Sequence, residues 1–145
     1  MDYKIGIWNI KSMNNGKKQK EIKKFIYEEK IHVFSVIETH VKASRLQDVC
    51  NKVFGQWDWV SNMNQCRGGC RITVGWNRNV VHVMVLHSTR QMILCLVSLM
   101  KRSIVALFML IIKVLLEESC GETYKWLRWL LVASLGFLWE ILMLL

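Results

Sequence analysis

The chain changes character just after Val97, and an ordinary single domain rarely splits this way. Before the break, apolar and polar residues alternate and turns are punctuated. After it, about two thirds of the residues are apolar. Residues 1–101 carry 16 Lys+Arg and 7 Asp+Glu, so the whole net charge of +9 sits there. Residues 102–145 carry four of each and sum to zero. Any reading of this chain must therefore say which side of the break it rests on.

With 145 residues the chain has room for one domain. Its basic balance favours polyanionic partners, nucleic acid or an anionic membrane, and says nothing about fold. Proline is absent, where about 5% is usual. Five cysteines, Cys50, Cys66, Cys70, Cys95 and Cys120, form an odd set without a CxxC pair. Free thiols in a reducing compartment are expected. Cys66 and Cys70 have no second half at ligand spacing, which argues against zinc. The opening MDYKIGIWNIKS lacks the apolar run of a secretory signal, so an intracellular location is expected.

Residues 5–10 form a short run enriched in Ile and Trp, which predicts a buried strand. A polar loop follows over 11–16, with Asn14 or Asn15 available as a helix N-cap. The next helix is predicted over 17–30: Ile22, Phe25 and Ile26 fall at i, i+3, i+4, and lysines cover the rest. A second β-rich run over 32–37 ends at Glu38. Strand, helix and strand of this length make a βαβ unit with parallel strands. A second helix is predicted over 45–54, with Leu46, Val49, Cys50 and Val53 on one face. From Trp57 the period becomes two. Strands over 57–62, 71–76, 80–87 and 91–97 predict an antiparallel meander appended to the βαβ unit.

In open α/β sheets, sites form at the carboxyl ends of parallel strands. Asn9 ends the first strand and Glu38 ends the second. The plain alternatives are a strand-end turn residue and a solvated carboxylate. A Glu and an Asn facing one crevice are able to hold a hard cation and a phosphate oxygen. Carboxylate and amide oxygens suit Mg²⁺, which binds through one or two carboxylates plus substrate phosphate. His40 lies two residues after Glu38, and His32, His82 and His87 read as strand histidines. Lys17, Lys18 and Lys20 line one helix and are candidate phosphate contacts, against the alternative of a solvated face.

Four segments, in order, carry a resemblance. They are Gly-Ile-Trp-Asn-Ile at 6–10, the Asn-Asn pair and lysine-rich helix at 14–24, Val-Ile-Glu-Thr-His-Val-Lys at 36–42, and Gly-Gly-Cys-Arg-Ile-Thr-Val-Gly-Trp at 68–76. Together they resemble the endonuclease/exonuclease/phosphatase family, in the branch found in plant LINE-type (non-LTR) retrotransposons. The resemblance spans about residues 3–97. It implies part of a four-layer α/β sandwich and a Mg²⁺-dependent phosphodiesterase that nicks DNA. It assigns Asn9 to the family's first-strand Asn and Glu38 to its metal-binding Glu. Lys11 stands where an Arg is common, and Ser12-Met13 replaces Gly-Leu. The family's Tyr/Asn strand, its Gly-Asp-x-Asn strand end and its late Asp-His pair cannot be read in residues 98–145. His40 does not match the late His.

The tail has three readings. Apolar stretches over 103–116 and 129–145 are interrupted by Lys113 and Glu140, and both fall short of the ~20 residues of a membrane span. A buried amphipathic helical hairpin is the second reading. The third is translation out of frame, and the genetic code tests it. Taking the third base of each codon with the first two of the next, Trp139-Glu140 forces Gly, and Glu140-Ile141 allows only Asp or Asn. One codon choice over 134–145 reads Pro-Trp-Val-Leu-Met-Gly-Asp-Phe-Asn-Val-Ile, which contains the missing Gly-Asp-x-Asn strand end. The same offset over 107–112 allows Phe-Tyr-Ala-Tyr-Asn, and over 115–121 Thr-Arg-Arg-Glu-Leu-Trp.

The sequence thus predicts an incomplete four-layer α/β sandwich over 3–97, with an apolar helical tail over 98–145 that is out-of-frame translation. Asn9 and Glu38 are the expected site, Mg²⁺ the expected metal and DNA the expected partner. A degenerate, inactive endonuclease fragment is the leading expectation. A small basic nucleic-acid-binding protein and a membrane-associated protein are the alternatives. Aggregation through unpaired sheet surfaces is a further expectation.

Overall fold

The computed structural model describes residues 4–99, 107–113 and 125–127. Strand β1 (Ile5–Asn9) leads through a loop to helix α1 (Gly16–Glu28), then to strand β2 (Val33–Val41) and helix α2 (Ala43–Phe54). β1 and β2 pair in parallel, from Ile5 opposite Val33 to Asn9 opposite Ile37, so the predicted βαβ unit is present. Both helices start one or two residues earlier than predicted. Asn15 caps α1, its side chain accepting the Lys17 N–H at 2.8 Å.

The predicted meander is divided between two sheets. Strands β3 (Asp58–Ser61) and β4 (Cys70–Trp76) join the βαβ sheet, with β4 inserted beside β2 and antiparallel to it. The chain then crosses to a second, antiparallel sheet of β5 (Val81–Ser88), β6 (Met92–Leu99) and β7 (Leu107–Lys113). A short β8 (Lys125–Leu127) pairs antiparallel with β1. The orders are β3-β4-β2-β1-β8 and β5-β6-β7. The protein is therefore mixed α/β, with two sheets and two helices. The described tail residues, 98–99, 107–113 and 125–127, are strand residues where a helical tail was expected. The partner strands of the last two segments, β6 and β1, offer free backbone donors and acceptors, and pairing satisfies both sides. The remainder of the expected tail lies outside the described residues.

Strand alternation sorts side chains onto two faces of the first sheet. Trp8, Phe34 and Val36 point to the helices and pack with Ile22, Ile26, Leu46, Val49, Val53 and Phe54. Ile5, Val33, Ile72, Val74 and Trp76 point to the second sheet and meet Val81, Val83, Ile93, Cys95 and Val97. The chain thus layers helices, sheet and sheet. Close packing demands glycine at Gly6, where a Cβ would lie 2.6 Å from the Phe34 ring. Burial raises the thiol pKa of the core cysteines, to about 12 at Cys50 and about 11 at Cys95.

One buried polar side chain links the sheets. Asn62, fully buried after β3, donates to Thr89 O (3.1 Å) and Arg90 O (2.9 Å) in the β5–β6 turn. Its Oδ1 accepts from Arg71 N (3.2 Å) and Ile72 N (2.9 Å) on β4.

Candidate functional site

Because β1 and β2 are parallel, their carboxyl ends lie at the same end of the sheet. α1 and α2 both begin there, and β4, antiparallel to β2, starts there with Cys70 opposite Val41. Asn9 is the last residue of β1 and sits opposite Ile37; Glu38 is the next residue on β2. The two predicted site residues are therefore brought together.

Backbone irregularity concentrates at this end. Between the Ile37–Ile72 and Val41–Cys70 pairs, three residues of β2 oppose Arg71 alone. This bulge turns Glu38 (φ 57°) and His40 (φ 51°) into the left-handed region, with buried Thr39 between them. The Thr39 hydroxyl donates to Cys70 O at 2.7 Å and pins the bulge from inside. The facing loop holds two more left-handed residues, Lys11 (φ 51°) and Ser12 (φ 114°). Among the described residues, five non-glycine residues have positive φ, and four of them are here. Strain of this kind concentrates at functional sites and persists only where neighbours enforce it.

The neighbours are visible. Ile10 N, Ser12 N and Met13 N donate to Ile37 O (3.2 Å), Glu38 O (2.9 Å) and Thr39 O (2.8 Å). Asn14 Nδ2 donates to His40 O at 3.0 Å. A Cβ on Gly69 would lie 3.3 Å from the His40 carbonyl, so the Gly68–Gly69 turn before β4 closes against the bulge. Asn9 Oδ1 accepts the Lys11 N–H at 3.3 Å. Glu38 is half-buried and His40 exposed. The thiol of buried Cys70, below the bulge, is pushed up by desolvation.

Charge is partitioned along the strands. Lys4–Glu29 (3.8 Å) and Arg78–Asp58 (3.2 Å) lie at the opposite end of the sheet, while Lys24–Glu28 (3.7 Å) and Lys52–Asp48 (3.0 Å) lie along the helices. Lys11, Lys17, Lys18, Lys20, Lys42, Arg45 and Arg67 lie on the loops and helix starts around Asn9 and Glu38. Among the described residues these seven join no ion pair; the acidic residues of the same segments are Glu38 on β2, Glu21 beside Lys20 on α1, and Asp48 on α2, which pairs with Lys52. The three candidate lysines are not equivalent. Lys17 and Lys20 are exposed, whereas Lys18 is half-buried with Nζ 3.0 Å from Ile10 O.

Glu38 and Asn9 supply one carboxylate and one amide oxygen, hard donors of the kind Mg²⁺ takes. Among the described residues no group of three or more His, Cys, Asp or Glu is arranged to hold a metal. Among the described residues, Glu38 is the member of this pair whose carboxylate would hold such an ion. Sequence reasoning missed Thr39, Gln19 and Asn62. Only Gln19 left a signal: it precedes Ile22 and Ile26 by three and seven residues, on the apolar stripe of α1.

In comparison with known proteins, no family model matches the chain and no curated protein matches its sequence. Among the described residues, no helix is long and apolar enough to cross a membrane.

Proposed function

We propose that this chain carries the N-terminal part of a Mg²⁺-dependent phosphodiesterase domain of the endonuclease/exonuclease/phosphatase type, from the LINE retrotransposon branch, and that it is inactive as a nuclease. The observation that carries this reading is the adjacency of Asn9 and Glu38 at the ends of two parallel strands, on a strained and interlocked rim. The mixed α/β class, with helices packed on one face of the first sheet and the second sheet on the other, supports this reading. Residues 98–145 are proposed to be an out-of-frame translation, so the second carboxylate and the late His are lost from the encoded chain.

The residues present divide the chemistry as follows. Glu38 would hold Mg²⁺, and Asn9 would donate its amide N–H to a phosphate oxygen. When bound, the metal supplies charge neutralisation at the phosphate. The surrounding lysines and arginines draw in the polyanionic backbone. Exposed His40 stands two residues after Glu38 but does not match the family's late His, so the acid–base help of the complete site is missing from this reading.

The test is nicking of supercoiled plasmid DNA with Mg²⁺. The expected result is no turnover above the level of the Glu38→Gln variant. Turnover in the parent chain that Glu38→Gln abolishes overturns the claim of inactivity. Sequencing the coding DNA tests the frame: codons incompatible with Gly-Asp-Phe-Asn at 139–143 sink that part. A second reading, nucleic-acid binding without turnover, is favoured by the unpaired cations at the site end. It predicts that log affinity falls with log salt at roughly −0.9 per phosphate contacted on duplex DNA.

A further inference from the structure

The lysine-rich start of α1 holds two side chains that behave unlike their neighbours. Gln19 is almost fully buried, and its Nε2 donates to Met13 O at 2.9 Å. Half-buried Lys18 donates from Nζ to Ile10 O at 3.0 Å. Both acceptors belong to residues 10–13, the loop between β1 and α1. That loop's own donors go the other way, to β2: Ile10, Ser12 and Met13 give their N–H groups to the carbonyls of Ile37, Glu38 and Thr39. The loop is therefore held on both sides, by β2 through its N–H groups and by α1 through its carbonyls.

The geometry follows from helix chemistry. Side chains on a helix lean toward its N-terminus, so residues in the first turn reach back over the preceding loop. The Asn15 cap fixes where α1 begins and hence which residues occupy that turn. A protonated lysine makes a charge-assisted bond to a carbonyl, stronger than a neutral pair. The loop needs such restraint, because Lys11 and Ser12 are both left-handed.

We propose that Lys18 and Gln19 are positioning residues for the Asn9–Glu38 pair: they clamp loop 10–13 against β2 and so set the spacing of the two strand ends. Ser12 N reports the linkage directly, since it bonds the carbonyl of Glu38 itself, at 2.9 Å. The functional meaning of this spacing rests on the phosphodiesterase reading. The clamp itself does not, and the experiment separates the two.

Amide hydrogen exchange and Mn²⁺ binding, followed by water-proton relaxation, are measured on the full chain and on Lys18→Met, Lys18→Arg, Lys23→Met and Glu38→Gln. Lys18→Met is expected to speed exchange at Ser12 and Met13 by about tenfold or more, leaving Val36 and Val74 unchanged. It is expected to weaken Mn²⁺ binding several-fold. Lys18→Arg restores most of both effects, and Lys23→Met, on the same helix, changes neither. Unchanged exchange at Ser12 and Met13 overturns the clamp. So does an equal loss of protection at Val36 and Val74, which marks general destabilisation. Faster exchange with unaltered Mn²⁺ affinity overturns the positioning role. If the parent chain binds no more Mn²⁺ than Glu38→Gln, the phosphodiesterase reading falls, and the clamp stands or falls on exchange alone.

Discussion

Asn62 is the residue whose loss should reveal how the two sheets are joined. It is fully buried and satisfies four backbone groups, two on β4 and two in the β5–β6 turn. Ile72 N is the most deeply buried of these groups, and leaving it without an acceptor costs about 1–3 kcal/mol. The other three bonds involve part-buried groups that water reaches in part, and contribute about 0.5–1 kcal/mol each. Asn62→Ala is therefore expected to cost about 3–6 kcal/mol, a large share of the roughly 5–15 kcal/mol that holds a domain together. In a thermal melt followed by circular dichroism, the midpoint should fall by about 10–25 °C. Asn62→Asp is the sharper variant. It keeps the acceptor but turns a lone-pair oxygen toward Thr89 O and Arg90 O. At pH 7 it should be at least as damaging as alanine. Burial without a donor raises its folded pKa above the unfolded value of about 3.9. The native state then binds the proton better, so the damage shrinks as pH falls through that pKa. An alanine variant that melts within about 2 °C of the parent would refute the reasoning.

Two further outcomes follow from the same physics. His40 is exposed and left-handed (φ 51°), with its carbonyl rather than its ring holding Asn14. His40→Gly should stabilise the chain by about 0.5–1 kcal/mol in urea unfolding, because relief of backbone strain exceeds the entropy cost of glycine; a loss of stability contradicts this. His32 is held below its ordinary pKa by burial and, secondly, by the Lys4 charge, and its Nδ1 accepts the Lys4 N–H at 3.2 Å. Below about pH 6.5 the unfolded chain takes a proton that the native chain refuses, so stability present above that pH declines as pH drops. The urea midpoint should fall from pH 7.5 to 5, and His32→Gln should flatten that slope.

Much of the candidate site is legible from local pattern. The apolar runs at 5–10 and 32–37, with a lysine-coated helix between them, specify two parallel strands, and parallel strands bring Asn9 and Glu38 to one end. The left-handed backbone at Glu38 and His40 is not legible, because Glu does not favour it and the mild preference of His marks no particular position. It arises where Thr39 turns inward to bond Cys70 O, a contact 31 residues away. Lys18 likewise looks like its neighbours in sequence and differs only because the loop below it presents the Ile10 carbonyl.

The sequence by itself determined the local elements, the βαβ handover and the charge break at Val97, since period and composition act within a few residues. Tertiary structure decided which strands share a sheet. Alternation makes β3, β4, β5 and β6 equally plausible meander partners. The choice fell to long-range burial: β4 fills the gap between β2 and β3, while Val81, Val83, Ile93, Cys95 and Val97 cover the other face of that sheet. Asn62 then ties the division in place, from a position where the local pattern reads only as one more polar strand residue.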